Sequence, residues 1–333
     1  MGMTFTYGSG VADSIFGKCQ APIRMFLESQ GEAFEQASPL KDLFMIEKDS
    51  KFGVTMTGMT AMRGFMPVDE NGEYPHDEMQ EGFRKFIEHK TWKNSFSVSA
   101  EAVEDSLLMD LRQKPAAFLK SYHRTRELFG AKMYAEAING KTKMNIDGRE
   151  FDLSCADEKP LFFAKHPSKL DAKRTQCNVF SDAFSAGALS KLETRMQHFE
   201  GDAENLLDVS PTTILIPNDA AAKEKVFAII GADKDPATSN NAFTYQFGRW
   251  NVRCWSYLDK FLTKGTDFPW VLLDEAYNRD NSGAVWFDRK ELAVRSVLAH
   301  NDANEWLGRA RWSAGFNDWR FAAAGGVAGA DAL

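Results

Sequence analysis

Lys93-Asn94-Ser95-Phe96-Ser97-Val98-Ser99 runs straight on into Glu101, Val103, Glu104 and Asp105. With the preceding tryptophan included, Trp92, Asn94, Phe96 and Val98 alternate with Lys93, Ser95, Ser97 and Ser99, the two-residue period of a strand. The period then changes. Pro115 suits a first helical turn. Phe118, Tyr122, Phe129, Met133 and Ala137 fall on one stripe, and Gly140 supplies a stop. At 1.5 Å per residue, about 25 residues make a rod on the order of 35–40 Å, long for an ordinary globular domain. A strand that feeds a helix of this length is the junction from which the rest of the chain is read.

Upstream of the junction, residues 51–99 read as an extended two-stranded excursion. Phe52 to Met66 is broken by Gly53, Thr55, Thr57, Gly58, Thr60 and Gly64, and carries Met56, Met59, Met62 and Met66. Asp69-Glu70-Asn71-Gly72 is a reversal signal. Met79, Phe83, Phe86 and Ile87 then fall at i, i+4, i+7 and i+8, which predicts a helical stretch. A lone hairpin is marginal in water, so this excursion needs another surface. Residues 1–50 read as an arm: Gly8-Ser9-Gly10 interrupts it, and Ala21 to Phe34 is a short amphipathic run with Ile23, Phe26 and Leu27 on one face.

Downstream the pattern turns α/β. Ala186 to Phe199 predicts a helix. Thr212 to Ile216 predicts a buried strand, ended by Pro217, with Asn218 or Asp219 capping a helix through Ile230. Phe243, Tyr245 and Phe247 alternate and continue, after a bulge at Gly248, into Trp250, Val252 and Cys254. Trp270–Leu273 and Ala284–Phe287 are strands around a turn at Asn278-Arg279-Asp280-Asn281. Arg309 to Phe321 is a closing strand broken at Gly315, and Gly325 to Leu333 is a small flexible tail.

The totals exclude several function classes. Of 333 residues, 44% are hydrophobic and 26% charged, enough to bury a sizeable core. A net charge of -7 without a basic block is a poor basis for sequence-specific nucleic-acid binding, which draws on Lys and Arg displacing counterions; the chain could enclose nucleic acid without gripping it. Cys19, Cys155, Cys177 and Cys254 form no CxxC pair and read as small buried apolar residues in a reducing compartment. No stretch approaches the roughly 20 apolar residues of a membrane span. The start, Met1 to Thr6, lacks signal-peptide character; the loose myristoylation pattern of Gly2 and Thr6 reads as chance.

No motif assembles a catalytic, cofactor or metal site, and the expectation for all three is none. Gly8-Ser9-Gly10 lacks the rest of a dinucleotide fingerprint, and Gly325-Gly326-Val327-Ala328-Gly329 has no following helix. His76, His89, His123, His166, His198 and His300 show no metal spacing and read as surface or hydrogen-bonded imidazoles. Asp274-Glu275 at a strand end point opposite ways and read as a solvated end. The methionine series suits either a core stripe or an adaptable contact surface.

The order of elements resembles the major capsid proteins of tailed bacteriophages, the Hong Kong 97-type fold. The return strand at 93–99 running into the helix is similar to head subunits of the Mu-like group. Gly315-Phe316-Asn317-Asp318-Trp319-Arg320-Phe321 looks like that family's closing strand, and Ser210 to Asn218 like its axial strand-to-helix step. The resemblance implies an α+β chain: an N-terminal arm (1–50), an extended β-hairpin loop (51–99), a peripheral domain with a spine helix (100–177), an axial α/β domain (178–290), and a return to the peripheral domain with a tail (291–333). It implies pentamers and hexamers of the chain closing an icosahedral head around double-stranded DNA, in the virion after assembly in the bacterial cytoplasm. A separate scaffolding protein, a portal and a decoration protein are the implied partners, with no membrane. The scaffold is implied to be separate because the chain starts at Met1 with only a short arm. Residues 52–84 contain no lysine, so the loop-tip crosslinking of some members lacks its nucleophile. An encapsulin-like compartment shares the implied fold, and a soluble α/β enzyme is the reading from another class.

Overall fold

The computed structural model describes residues 4–7, 38–59, 65–69, 72–74, 76, 81–99, 101, 108–231, 245–263, 267–300 and 303–331. In chain order the elements are β1 (Thr4–Tyr7), α1 (Leu40–Leu43), β2 (Met45–Lys48), β3 (Gly53–Met59), β4 (Glu81–Glu88), β5 (Lys90–Val98) and α2 (Leu108–Ile138). Then come β6 (Lys143–Ile146), β7 (Arg149–Asp152), β8 (His166–Pro167), β9 (Thr175–Gln176), α3 (Ala186–Gln197), β10 (Thr213–Pro217) and α4 (Ala220–Ile230). The chain finishes with β11 (Asn251–Trp255), β12 (Trp270–Leu273), α5 (Glu275–Asn281), β13 (Ala284–Leu298), β14 (Asn304–Phe316) and β15 (Ala322–Gly325).

Two sheets organise the chain. The larger runs β1-β13-β14-β5, with β2 also paired to β13. Its centre is the long antiparallel pair β13/β14, which shifts register between Asp288 and Ala293. β1 and β2 both lie parallel to β13, at 293–296 and 285–288. The smaller sheet runs β11-β10-β12-β15. β10 is buried along its whole length, as the apolar run Ile214-Leu215-Ile216 predicts for a strand covered on both faces.

The strand-to-helix junction is present: β5 leads into α2, and 31 residues make α2 a rod of about 46 Å. Its apolar stripe lies on the large sheet. Trp92 stacks on Trp312 at 4.3 Å, Trp312 on Trp286 at 4.7 Å, and Phe129 of α2 meets Trp312 edge-on at 4.9 Å. Further along, Phe118 and Leu119 pack with Leu292, Val294 and Trp306. The approach is closest at Gly308, where a Cβ would sit 2.3 Å from Phe118 Cζ. Any other residue in that place would force the Phe118 ring to move.

One buried ion pair fixes the two layers. Arg126 of α2 donates to both carboxylate oxygens of Asp288, Nη1 to Oδ1 at 2.9 Å and Nη2 to Oδ2 at 3.1 Å. The guanidinium lies 4.8 Å from the Trp286 ring centre, and the Trp286 indole N–H donates to Asp288 Oδ1 at 3.2 Å. This planar, two-pronged contact suits arginine and not lysine.

Several expectations change. Glu81–Glu88 is a strand, where the spacing predicted a helix. Pro115 sits inside α2, which is helical from Leu108, about two turns earlier than a first-turn proline predicts; there its ring removes one backbone hydrogen bond and crowds the carbonyl four residues back. Tyr245 to Gly248 is a turn, with Gly248 at φ +70°, and the strand begins only at Asn251; Phe243 lies outside the described residues, as do Ala21 to Phe34. Asn278 to Asn281 belongs to α5. The closing strand spans Asn304–Phe316, and its continuation turns away to form β15, which pairs with Trp270–Leu273 in the smaller sheet. Val327 and Ala330 pack against the main core, so that much of the tail is seated.

Candidate assembly surface

β3 and β4 pair only with each other among the described strands, so the hairpin is attached to the body at its root. Three residues make that root. Ile87 is buried with Val285 and Phe287, and Met45, Val54 and Met56 pack around them. The seat depends on Gly315, where a Cβ would lie 2.6 Å from Ile87 Cδ1. Lys85 is buried, and its ammonium donates to Asp152 Oδ2 at 2.5 Å and Ser154 Oγ at 2.9 Å. Burial alone would raise the Asp152 carboxyl, but the bonds from Lys85 and Ser154 outweigh it and hold its pKa below the usual range. His89 is buried against Phe287, with Nε2 3.0 Å from Asp49 Oδ2 and Nδ1 3.2 Å from Ser313 Oγ.

On the outer side of the root and beyond it the same excursion turns apolar side chains to solvent. Phe52 and Phe86 are more than half exposed, and Phe65 and Tyr74 are essentially fully so, with Met66 and Val68 alongside. Scattered exposed apolar residues are ordinary, but six within one excursion mark a contact surface. A smaller group lies on the other sheet's side of the chain: Phe227 of α4, Tyr245 and Phe247.

No family model matches the sequence, and no curated protein matches it. Solved structures do. A chain from Mycobacterium phage Patience superposes at a TM-score of 0.50 with 15% identity, over 98% of this chain and 92% of the other. The capsid of Ralstonia phage GP4 gives 0.52 with 11% identity, over 85% and 86%. The capsid of the cyanophage P-SCSP1u gives 0.51 with 10% identity, over 87% and 88%. The chain has the Hong Kong 97-type capsid fold. The likeness is one of fold and does not single out the Mu-like group.

Within this capsid fold the residues that chemistry-bearing patterns singled out are structural. Asp274 is buried rather than solvated. It caps α5 by accepting from the Ala276 and Tyr277 amides at 2.9 Å each, and also accepts from the Ser210 amide at 2.7 Å. Glu275 accepts from the Thr213 hydroxyl. His166 is buried, 2.6 Å from Asp157 and stacked on Trp319 at 4.3 Å; His198 donates to the Thr194 carbonyl at 2.7 Å. Burial, helped by the nearby Arg126 charge, pushes His123 down to about 4. Cys155 is buried, and that burial carries its thiol well up; Cys177 and Cys254 are only half-buried, and Cys19 lies outside the described residues. Gly8-Ser9-Gly10 also lies outside them, and Gly325 ends β15. Among the described residues no group of three His, Cys, Asp or Glu side chains is placed to hold a metal.

The methionine series divides between its two readings. Met56 packs at the root and Met66 is exposed; the side chains of Met59 and Met62 lie outside the described residues. What sequence reasoning missed is the root itself. His89, read as a surface or hydrogen-bonded imidazole, is the hydrogen-bonded kind, and nothing local pointed from Lys85 to Asp152, 67 residues later.

Proposed function

We propose that this chain is the major capsid subunit of a tailed phage. Copies form pentamers and hexamers that close into an icosahedral head around double-stranded DNA. The observation that carries the reading is the hairpin, anchored at its root by Lys85, Ile87 and His89 and presenting Phe52, Phe65, Tyr74 and Phe86 to solvent on a capsid fold. Closed shells need repeated heterologous contacts in place of one catalytic cleft, and the protein is not an enzyme. The domain map follows: an arm to residue 50, a hairpin to 99, a peripheral domain built on α2, and an axial domain over 178–290. β15 joins the axial sheet although its residues fall in the 291–333 return. The protein resides in the virion after assembly in the host cytoplasm, with a separate scaffold, a portal and a decoration protein as partners, and the DNA is enclosed without sequence-specific contacts. Electron microscopy of the purified protein, alone and with candidate scaffold, is expected to show capsomers or closed shells. A 37.4 kDa monomer at every concentration in sedimentation overturns the assignment. Nucleic acid inside purified particles separates a phage head from an encapsulin-like compartment.

A further inference from the structure

The inner part of the hairpin is tied to the body. Lys85, Ile87 and His89 point inward at the root, and Phe83, half-buried, continues the same face one step farther out. Just there the strand pair is irregular. β3 and β4 run in register from Gly53 and Glu88 to Thr57 and Arg84, and the register then shifts, so that Met59 faces Glu81. Gly82 and Phe83 therefore stand opposite Gly58 alone, the two-against-one count of a bulge. A Cβ on Gly82 would lie 3.0 Å from the Gly58 backbone, so the close approach of the strands needs glycine there. Gly58 is different: its Cβ would meet the Phe83 carbonyl oxygen at an ordinary 3.7 Å. Space does not require glycine at 58, and what glycine adds there is backbone freedom.

A cavity of about 280 Å³ lies between the bulge and the body. Gly58, Gly82 and Phe83 line it on the hairpin, and Asp202, Asp318 and Arg320 on the body. The body side is braced. Asp202 Oδ1 accepts from the Lys169 amide at 3.0 Å and from Arg320 Nη2 at 3.1 Å, and Arg320 Nη1 donates to Asp318 Oδ1 at 3.2 Å. Beside this cavity the Lys169 ammonium lies 4.9 Å from the Phe83 ring centre. Lys169 is exposed, so this cation–π contact is weak and easily broken.

A fixed root, a glycine bulge, empty space for movement and a weak contact beside it are the parts of a joint. Resting on the shell reading, we propose that the hairpin is jointed at Gly58, Gly82 and Phe83, with Phe83 on Lys169 as the catch that holds one setting of its outer half. One sequence that builds both pentamers and hexamers must meet its neighbours at more than one angle. The joint supplies that freedom without disturbing the root.

Distances between spin labels test the joint in the unassembled subunit. The labels go on Tyr74→Cys, in the outer half, and on Lys191→Cys of α3, in a chain whose Cys19, Cys177 and Cys254 are replaced by serine. Lys169→Ala removes the catch and should raise the population of displaced settings about two- to fivefold, the range a surface cation–π contact sustains. Adding Gly58→Val, a stiff β-branched residue that the space admits, should narrow the distribution again. Gly58→Ala is the milder second variant and should narrow it part-way. Thermal unfolding should match wild type throughout, since the root is untouched. If Lys169→Ala leaves the distances unchanged, the catch is overturned. If both Gly58 variants stay as broad as Lys169→Ala alone, the bulge merely twists the pair and the joint is overturned. In assembly, Gly58→Val should still form capsomers but lose closed heads that combine pentamers and hexamers; normal heads from it overturn the role in closure. A wild type that forms no shell sinks the shell reading, while the subunit distances still decide the joint.

Discussion

Removing the Asp288 carboxylate should leave Arg126 as an uncompensated cation inside the layer between α2 and the large sheet. In the structure both partners are nearly inaccessible, with side chains 6% and 1% exposed. Two charge-assisted hydrogen bonds at 2.9 and 3.1 Å are lost together, and so is the acceptor of the Trp286 indole N–H. Breaking one side of such a pair costs about 3–5 kcal/mol, which is a large share of the ~5–15 kcal/mol that holds a native protein. At roughly 2–4 °C per kcal/mol for a chain of this size class, Asp288→Ala should unfold about 10 °C lower. Arg126→Met/Asp288→Asn is the contrasting variant: methionine fills the guanidinium's space, asparagine keeps an acceptor for Trp286, and no charge is stranded. It should lose only about 1 kcal/mol. Denaturant unfolding of the unassembled subunit gives both values, and the double-mutant cycle gives the coupling. If Asp288→Ala costs less than about 1 kcal/mol, or the double variant is no more stable than the single, the pair does not fix helix to sheet and the reasoning fails.

Three further outcomes are expected. Replacing residues 57–84 with a short Gly/Ser link keeps Lys85, Ile87 and His89 and should leave the subunit folded but unable to close shells; normal particles would show that the hairpin is no clamp, and an unfolded chain would place it in the core. Mature particles boiled in denaturant should run as one monomer band, since residues 52–84 lack lysine and Lys85 is engaged by Asp152 of its own chain; a ladder of multimers contradicts this. His123 is held down to about 4 when folded, by burial and then by Arg126, against about 6.5 unfolded. The unfolded chain therefore binds the extra proton first, and stability should fall as pH drops from about 6.5 towards 4. His123→Gln should flatten that slope in urea midpoints taken across this window, and an unchanged slope assigns the loss to other groups.

Much of the fold was legible because its elements obey simple periods. Residues 92–98 alternate and residues 118–137 repeat every three or four, and β5 followed by α2 is what formed. Side-chain chemistry also narrowed the cap of α4 to Asn218 or Asp219, and Asp219 is the one that caps it. The misreadings have local causes. Glu81–Glu88 alternates in burial, with Lys85 and Ile87 inward and Arg84 and Phe86 outward, yet the inward position is a lysine and an outward one a phenylalanine. That inversion is stable because Asp152 and Ser154 satisfy the buried ammonium, and neither is visible from the strand itself. α5 holds Asn278, Asp280 and Asn281, which are weak helix formers, and its helix rests on the Asp274 cap and on Asn278 Oδ1 accepting from the Ala284 amide at 2.6 Å. Tertiary partners decided both cases.

The hairpin joins these two levels. Ordering a residue costs roughly 1–2 kcal/mol, and apolar burial returns about 25 cal/mol per Å². At the root the balance closes within the subunit, because Ile87 sits in the space that Gly315 leaves and Lys85 and His89 find polar partners. Farther out, Phe65 and Tyr74 bury almost nothing. The same strand pair is thus a structural part of one subunit at its base and an incomplete one at its tip. Burial is missing at Phe65 and Tyr74, and under the proposed shell reading a second copy would supply it. Strengthening the root should therefore change subunit stability, whereas altering the tip should change only the concentration at which subunits associate.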